Sequence, residues 1–210
     1  MIFNQTDFLK RAKKIILATK NKNKVCEIVD FLIDFGFNIT TQNDCNISKV
    51  EETGTTFVEN AIIKARHASK ETGYPAISDD SGLEVDYLQG EPGIHSARYA
   101  GVNASDEQNL NKLLKKMQRA SEKQRAARFH CVLVLIRHTN DPVPLICHGK
   151  WEGRISKEAH GKNGFGYDPI FFIPEEQCTS AELETNRKQQ LSHRAKALKK
   201  LFMALSAQNS

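Results

Sequence analysis

The longest uninterrupted apolar segment of this chain is only as long as a β-strand, running from Cys131 to Ile136. A helix that crosses a bilayer needs about 20 predominantly apolar residues, so the sequence predicts no membrane insertion. The remaining apolar residues occur in short runs or at three- and four-residue steps, the patterns of strands and of amphipathic helices. The sequence therefore predicts an α/β protein, and 210 residues can form one domain without a stabilising disulfide or metal.

Several segments have the pattern of β-strands. Ile15–Ala18 is predicted to be a buried strand, and Leu83–Tyr87, where apolar and acidic residues alternate, a half-buried one. Phe129–Ile136 and Leu145–Trp151 are predicted to be two long strands joined by a turn at residues 140–142. This hairpin-like centre argues against a purely parallel sheet.

Four further segments have helical periodicity. The first helix is predicted to end at Gly36. The second is predicted to begin with the capping-box spacing of Thr56 and Glu59 and to end at Gly73, and Ser105 is predicted to cap the third. The core-facing residues are predicted to be Val25, Ile28, Val29, Leu32 and Phe35 in the first helix, Phe57, Ala61, Ala65 and Ala68 in the second, Leu110, Leu113, Leu114 and Met117 in the third, and Leu191, Ala195, Leu198, Phe202 and Leu205 in the last. Residues 1–13 and 207–210 are expected to be loose tails of a single domain.

The cysteines indicate a reducing compartment. There are five, an odd number, and none forms a C-x-x-C pair. With no secretory signal at the start of the sequence, this predicts a cytoplasmic protein. The pairs His130-Cys131 and Cys147-His148 allow a zinc site, but neighbouring residues of a strand point to opposite faces, so buried thiols are the alternative.

Charge is distributed unevenly along the sequence. Residues 10–24 contain seven basic residues and residues 187–200 contain six, with no acid in either segment. Residues 79–91 contain five acids and no base. If these segments meet in the fold, cations surround carboxylates, which suits a polyphosphate carried with a divalent metal. The alternative is that the lysines and arginines only solvate helix faces.

Two segments could bind a phosphate and a metal. Thr19–Lys24 lies between the first strand and the first helix, where free N–H groups and the helix dipole attract anions; the alternative is a polar strand–helix junction. Asp79 and Asp80, expected at the end of a strand, could bind Mg²⁺ together with Glu51 or Glu52; the alternative is an Asx turn closing a hairpin.

Two later segments could contact a flat ligand. His160–Pro169 combines three glycines, which allow close approach, with Phe165 and Tyr167 as stacking faces and Asp168 as an acceptor for a ring N–H; the alternative is a tight turn with core aromatic residues. His193 and Arg194 begin the last helix and could donate to a carbonyl or a phosphate, or simply form an exposed basic face.

Together these motifs resemble those of the inosine triphosphate pyrophosphatase family, also called dITP/XTP pyrophosphatases, and in particular its bacterial branch. In the family's order, the matching segments are Thr19-x-Asn21-x-x-Lys24, Glu51-Glu52-Thr53-Gly54 with Phe57-x-Glu59-Asn60-Ala61, Ser78-Asp79-Asp80-Ser81-Gly82-Leu83, Pro92–Gly101, Gly164-Phe165-Gly166-Tyr167-Asp168-Pro169 and Ser192-His193-Arg194. The likeness extends from about Ile15 to Leu205. Asn23 stands where many relatives have glycine, and asparagine tolerates a left-handed backbone better than most residues.

The resemblance implies an elongated α/β fold with two lobes, a central mixed β-sheet flanked by helices, and an active-site cleft between the lobes. It implies Mg²⁺-dependent hydrolysis of ITP, dITP and XTP to the monophosphate and pyrophosphate, which removes deaminated purines from the nucleotide pool. It also implies a cytoplasmic homodimer that binds neither nucleic acid nor membrane.

The resemblance also implies a role for individual residues. Glu51 and Asp80 would hold the metal, and Asp80 would also be the proton acceptor. The substrate-binding residues would be Thr19, Lys20, Asn21, Lys22, Asn23, Lys24, Ser81, Phe165, Gly166, Tyr167, Asp168, Lys188, His193 and Arg194. Lys188, Arg194 or nearby backbone N–H groups would donate to the 6-keto oxygen of the base.

Two other functions fit parts of the sequence. One is a metal-dependent pyrophosphatase acting on another nucleotide, such as a modified pyrimidine. The other is a non-catalytic RNA-binding protein that uses the basic segments, although the carboxylates of Glu51, Glu52, Asp79 and Asp80 would repel an RNA backbone.

Overall fold

A computed structural model describes residues 14–34 and 37–207 of the chain. The strands are β1 (Ile15–Ala18), β2 (Ile39–Thr41), β3 (Ala76–Val85), β4 (Ala126–Ile136), β5 (Leu145–Ile155), β6 (Phe171–Ile173) and β7 (Cys178–Thr179). The α-helices are α1 (Lys22–Asp34), α2 (Phe57–Thr72), α3 (Asp106–Lys116), α4 (Thr185–Leu191) and α5 (His193–Ser206). None of the helices in the described ranges is long and apolar enough to cross a membrane.

The strands form a mixed sheet in the order β2-β1-β3-β4-β5-β6-β7. Strand β1 pairs in parallel with both β2 and β3, whereas β6 pairs antiparallel with both β5 and β7. This confirms the predicted α/β class with a mixed sheet flanked by helices. The predicted active-site cleft stays a prediction.

The order of the first three strands reverses at β1. Helix α1 leads from β1 outward to β2, and α2 leads back past β1 to β3. Because such crossovers are right-handed, the two helices cover opposite faces of the sheet. All four residues of β1 are accordingly buried. Beside a strand where the order reverses, the carboxyl ends of the strands form the usual ligand site of α/β proteins.

The chain divides into two compact units. The first consists of residues 1–80, 132–149 and 196–210, and the second of residues 81–131 and 150–195. The core of the first unit includes small alanines of α2 packed with Ile16 and Val134. The core of the second is aromatic, with the Phe171 ring tilted against Phe129 at 4.5 Å and Trp151 at 5.4 Å between ring centroids. The expectation of a single domain stays a prediction.

Several predicted boundaries are confirmed. Strand β1 has the predicted limits, and both long strands are present, each extending beyond its prediction. Thr56 and Glu59 form the capping box of α2, whose C-terminus has Gly73 in the left-handed conformation. Ser105 caps α3. The Asn140 turn is likewise present in the connection between β4 and β5.

Other boundaries differ from the predictions. Tyr87 lies in a 3₁₀ turn after β3 and is exposed, so the predicted strand ends at Val85. Leu191 belongs to the separate helix α4, because the chain is extended at Ser192. The predicted helix end at Phe35 and Gly36 and most of the predicted tails lie outside the described residues.

All five cysteines are free thiols, as predicted. Cys131 and Cys147 are buried, and the His130 Nε2 lies 2.6 Å from a carboxylate oxygen of Glu84. Within residues 14–34 and 37–207, no three side chains of His, Cys, Asp or Glu are grouped to hold a metal ion. Cys131 and Cys147 are thus buried free thiols in this fold.

Candidate active site

The Thr19–Lys24 segment connects the carboxyl end of β1 to α1. The Asn21 side-chain oxygen accepts hydrogen bonds from the N–H groups of Asn23 at 3.0 Å and Lys24 at 3.2 Å, so Asn21 caps the helix. The Thr19 hydroxyl accepts a long bond of 3.4 Å from the Asn21 N–H. Asn23 lies in the first helical turn, so this position requires no left-handed backbone.

The segment presents positive charge without any acid of its own. Lys20 and Lys22 are exposed, and the first turn of α1 contains no acidic residue. The positive end of the helix dipole adds to the lysines, which makes this junction suitable for an anion. The structure thus places the predicted phosphate-binding residues at the switch point beside β1.

Asp79 and Asp80 lie inside β3 rather than at its end or in a turn. Strand β1 ends at Ala18, which pairs with Ser78, so both carboxylates lie just beyond the end of β1. They were predicted at a strand end because Ser81 and Gly82 follow them and resemble a turn. In the structure Ser81 and Gly82 continue the same strand.

The two carboxylates point to opposite faces of β3, as strand geometry requires. Asp79 forms an ion pair with Lys24 of α1, at 2.8 Å between Oδ2 and Nζ. Asp80 forms one with Lys64 of α2, at 3.0 Å between Oδ1 and Nζ. Ser78, on the same face as Asp80, donates its hydroxyl to the Ala61 carbonyl of α2. Each carboxylate is therefore neutralised by the helix on its own side.

Lys64 joins Asp80 to Glu52. Its ammonium lies 2.9 Å from the Glu52 Oε1 and 3.0 Å from the Asp80 Oδ1. Burial lowers the pKa of Lys64, but the carboxylates of Asp80, Asp79 and Glu52 raise it more, and the ammonium stays charged. Nothing in the sequence near Lys64 indicates this role, since a lysine in an amphipathic helix is usually exposed.

Burial raises the pKa of Asp80 above its usual range, more than the charges of Lys64 and Lys24 lower it. The side chain is 10% exposed. Its second oxygen, Oδ2, is buried without a hydrogen-bond partner among the described residues. A buried carboxylate oxygen of this kind is a suitable ligand for a hard cation and a suitable acceptor for a proton.

Glu51 is exposed at the start of the segment that leads to α2. Gly54 anchors this segment, because its N–H donates to the Asn60 side chain at 2.9 Å. A Cβ on Gly54 would come within 2.6 Å of the Glu59 Cβ, so only glycine fits there. One or two carboxylates with water and phosphate oxygens form a typical Mg²⁺ shell, and the carboxylates of Glu51 and Asp80 are donors of the type that such an ion prefers.

The second unit contains the other predicted group. Asp168 accepts a hydrogen bond from the Phe165 N–H at 2.8 Å and one from the Lys188 ammonium at 2.5 Å, both on Oδ2. The Lys188 ammonium also lies 5.4 Å from the centroid of the Phe165 ring. Gly164 has a φ of 78°, and a Cβ there would collide with the Asp168 carboxylate. The loop is therefore built closely around Asp168.

Arg194 and Ser81 belong to the same group. The Arg194 guanidinium lies 3.4 Å from the Ser81 hydroxyl, between Nη2 and Oγ, and 6.0 Å from the centroid of the Phe165 ring. The His193 ring is buried and stacks on Phe129, with centroids 4.8 Å apart. Phe165 thus has two cationic groups near its ring, an arrangement suited to a flat ligand with carbonyl oxygens.

Tyr167 lies in the aromatic core rather than beside Phe165. It is 4% exposed, and its hydroxyl donates to the Ser96 carbonyl at 2.8 Å. Burial raises the pKa of the Tyr167 hydroxyl above its usual value. The neighbouring Gly166 donates its N–H to the Asp106 carboxylate at 2.7 Å. Of the two aromatic residues predicted to stack on a ligand, Phe165 is the partly exposed one.

Known proteins are similar to this chain over nearly its whole length. Residues 15–204 match the Ham1 family. The chain belongs to the Ham1 family. It is 68% identical over 198 residues to the dITP/XTP pyrophosphatase of Vibrio parahaemolyticus, covering 94% of this chain and 99% of that protein. The dITP/XTP pyrophosphatase of Salmonella typhimurium is 55% identical over 193 residues, covering 92% and 98%.

Solved Ham1 structures have the same fold. The HAM1 protein from Coxiella burnetii superposes with a TM-score of 0.87 at 49% identity, covering 92% of this chain and 98% of that one. The Staphylococcus aureus Ham1 protein superposes with a TM-score of 0.83 at 41% identity, covering 93% and 99%. The mixed sheet flanked by helices is thus the fold of the Ham1 family.

Proposed function

We propose that this chain is a dITP/XTP pyrophosphatase, which hydrolyses non-standard purine nucleoside triphosphates to the monophosphate and pyrophosphate. The observation that carries the proposal is the pair of buried carboxylates, Asp79 and Asp80, held by Lys24 and Lys64 beside a strand–helix junction that suits phosphate. The high identity to named dITP/XTP pyrophosphatases over nearly the whole chain supports it. ITP, dITP and XTP are the proposed substrates.

The triphosphate is bound by residues of the first unit. The Thr19–Lys24 junction supplies backbone N–H groups and the exposed ammonium groups of Lys20 and Lys22. Lys24, which is held by Asp79, adds a charge that offsets the negative charge of the departing pyrophosphate. Asn21 fixes the first turn of α1 through its side-chain oxygen and is a further proposed contact of the triphosphate.

Asp80 is the proposed proton acceptor. Its raised pKa makes the carboxylate a stronger base than an exposed aspartate, and its buried Oδ2 is free to receive the proton of the attacking water. Lys64 keeps the side chain in place through Oδ1.

Glu51 and Asp80 are the proposed ligands of Mg²⁺. When bound, the ion supplies charge neutralisation at the phosphates and lowers the pKa of water. The Glu52 carboxylate forms an ion pair with Lys64, whereas the Glu51 side chain is exposed, and Glu51 is the glutamate proposed as the second ligand. Phosphate oxygens and water would complete the shell.

The purine base is bound by residues of the second unit. Phe165 stacks on the base, and Lys188 and Arg194 donate to the 6-keto oxygen. His193 and Ser81 are further contacts in the proposal. Adenine presents a 6-amino donor instead, which cannot accept a hydrogen bond from either cation, and sites of this design discriminate by about 10⁴-fold.

The protein is further proposed to be a cytoplasmic homodimer. Free thiols at all five cysteines suit a reducing compartment. Sedimentation equilibrium tests the dimer, since a single species at the monomer mass would contradict it.

The decisive experiment is pyrophosphate release from a panel of nucleoside triphosphates with and without Mg²⁺. We expect rapid release from dITP, ITP and XTP, little from ATP, and none after chelation of the metal. Asp80→Asn is expected to lower kcat by several orders of magnitude while the protein stays folded. Equal rates on ATP and ITP, or near-normal activity of the variant, would contradict the proposal.

A further inference from the structure

Both carboxylate oxygens of Asp168 accept hydrogen bonds from groups of the protein. Oδ2 accepts from the Phe165 N–H at 2.8 Å and from Lys188 at 2.5 Å, and Oδ1 accepts from the Ser180 hydroxyl at 2.9 Å. The Asp168 side chain is only 5% exposed. Asp168 therefore acts on a bound base through the groups that it holds.

Ser180 is the most deeply buried of these partners. It is 0% exposed and follows directly after β7. Its own N–H donates to the Phe171 carbonyl at 2.8 Å, which fixes its backbone to the first residue of β6. The hydroxyl that reaches Asp168 is thus attached to the sheet rather than to a loop.

The segment around Ser180 also supports the rest of the glycine-rich loop. The Asn163 N–H donates to the Ala181 carbonyl at 3.0 Å, and the Thr179 hydroxyl donates to the His160 carbonyl at 2.9 Å. A Cβ on Gly161 would lie 2.4 Å from the Ala181 carbonyl carbon. The loop therefore lies directly against residues 179–181, and Ser180 is the one that contacts the carboxylate.

The hydrogen bond from Ser180 determines the orientation of the Asp168 carboxylate plane. With Oδ1 held, the carboxylate plane is fixed and Oδ2 faces Lys188 and the Phe165 N–H. Without that donor, the plane can rotate and a buried oxygen loses its partner. The position of the Lys188 ammonium and of the Phe165 ring would then be less well defined.

We propose that Ser180 is a positioning residue for base recognition. Through Asp168 it holds the Lys188 ammonium and the Phe165 ring where a 6-keto purine is bound. The inference rests on the proposed function, because it assigns Lys188 and Phe165 to the base.

Ser180→Ala tests the proposal with dITP and XTP as substrates. The expected result is an increase in KM of about tenfold, since a hydrogen bond to a charged group is lost, with kcat changed less than about twofold. The inhibition constant of IMP should rise by a similar factor. That of pyrophosphate should stay unchanged, because its proposed ligands lie in the first unit.

Ser69→Ala is the matched control. Ser69 is also buried, but its hydroxyl has no hydrogen-bond partner in the described part of the chain. This variant should keep the KM of the wild type. Ser180→Cys fills nearly the same space with a weaker donor and should have an intermediate KM, which keeps the test available if Ser180→Ala does not fold.

A double-mutant cycle with Lys188→Met shows whether Ser180 acts through this lysine. We expect Ser180→Ala to raise KM much less in the Lys188→Met background than in the wild type. Equal increases in both backgrounds, or a parallel loss of pyrophosphate binding, would overturn the proposal. If the wild type itself does not hydrolyse dITP or XTP, the proposed function fails instead.

Discussion

Single side chains decide the chemistry of the first unit. Lys64 bridges Asp80 and Glu52, and its charge lowers the pKa of a carboxyl that burial raises. An ammonium group inside a cluster of carboxylates holds the side chains in place and also controls their protonation. The effect on protonation can be tested by experiment, because a charged replacement keeps the electrostatic influence on Asp80 and a neutral one removes it.

Lys64→Gln should shift the acidic limb of the pH–rate profile to higher pH. The base must be ionised, so activity is lost as pH falls through the pKa of Asp80. Removing the ammonium removes an influence that lowers this pKa, which therefore rises. The measurement is kcat/KM against pH at a fixed, saturating Mg²⁺ concentration.

Lys64→Arg is the control for that shift, since it keeps the charge and changes the shape. Its acidic limb should stay closer to that of the wild type than the limb of Lys64→Gln. A limb that moves to lower pH in Lys64→Gln would contradict the role given to Asp80.

Substitutions of the two neighbouring glutamates are expected to affect metal binding to different extents. Glu51→Gln should raise the Mg²⁺ concentration needed for half-maximal activity by about tenfold or more, because a ligand is lost. Glu52→Gln should have a smaller effect, because the Glu52 carboxylate is held by Lys64. Titrations of activity with Mg²⁺ compare the pair, and a larger effect at Glu52 would reverse the assignment.

At this scale the acidic residues were predictable from the sequence, but two of the residues that pair with them were not. Thr19, Lys24 and Asp80 were recognisable because they stand in short local motifs. Lys64 and Ser180 have no local signal, since each acts on a residue brought to it by a crossover or by the packing of a loop. Contacts of that kind depend on tertiary geometry, which a pattern in one segment cannot contain.

At the scale of elements, the glycine-rich loop shows how backbone shape affects binding. Gly164→Ala should raise KM for dITP about tenfold, because its Cβ would lie 2.1 Å from the Asp168 Oδ2 and 2.8 Å from the Lys188 ammonium, so both must move. Inhibition by pyrophosphate should be unaffected. Steady-state kinetics with dITP provide the measurement.

Gly166→Ala is the matched variant. Gly166 also has a positive φ, of 63°, but a Cβ there meets nothing within 4 Å. Both variants should lose stability from backbone strain, and Gly164→Ala should have the larger increase in KM because only its Cβ displaces Asp168 and Lys188. Identical KM values for the two variants would show that the close contact with Asp168 is unimportant.

The connection between β4 and β5 depends on one buried carboxylate. Asp141 accepts hydrogen bonds from the Arg137 N–H at 2.9 Å, from its guanidinium Nε at 2.8 Å, and from the Val143 N–H at 3.1 Å. Burial raises the pKa of Asp141, but these bonds lower it more, to well below its usual range. The ionised form therefore stabilises the folded state above the unfolded pKa.

Asp141→Asn should lower the free energy of unfolding by about 1–3 kcal/mol at pH 7. Because the folded pKa is depressed, the contribution of the carboxylate is lost as pH falls through that value, so the two proteins should converge in strongly acidic solution. Denaturant unfolding at several pH values measures this. Asp44→Asn, at an exposed carboxylate bonded to Thr41, should have a smaller effect, and equal effects would contradict the argument.

Elements were predictable where a periodic pattern was long enough. The limits of β1 and the caps of α2 and α3 follow from local sequence. Strands β2, β6 and β7 have two or three residues each, too few for any periodicity. The polar centre of β3 suggested a turn, because burial of Asp79 and Asp80 becomes tolerable only with lysines from two separate helices.

At the scale of the whole molecule, free thiols report on folding. Cys26 is exposed on α1, whereas Cys131 and Cys147 are buried in β4 and β5. Cys26 should be alkylated rapidly in the native protein, and the two strand cysteines only as fast as the fold opens. Mass spectrometry of peptides after timed alkylation gives these rates.

Alkylation in denaturant without reductant should label all five thiols. Fewer than five labels would reveal a disulfide, and rapid native labelling of Cys131 would contradict its burial in the core.

Because Asp79 and Asp80 lie on opposite faces of β3, this strand can tolerate only certain insertions and deletions. Deleting or inserting a single residue just before them would exchange their sides. Each acid would then face the wrong lysine, and the proposed proton acceptor, Asp80, would point away from Lys64. Substitutions and two-residue changes preserve the facing of the side chains. Among related sequences, we therefore expect length variation between Ala76 and Asp80 to occur only in even steps or to coincide with loss of activity.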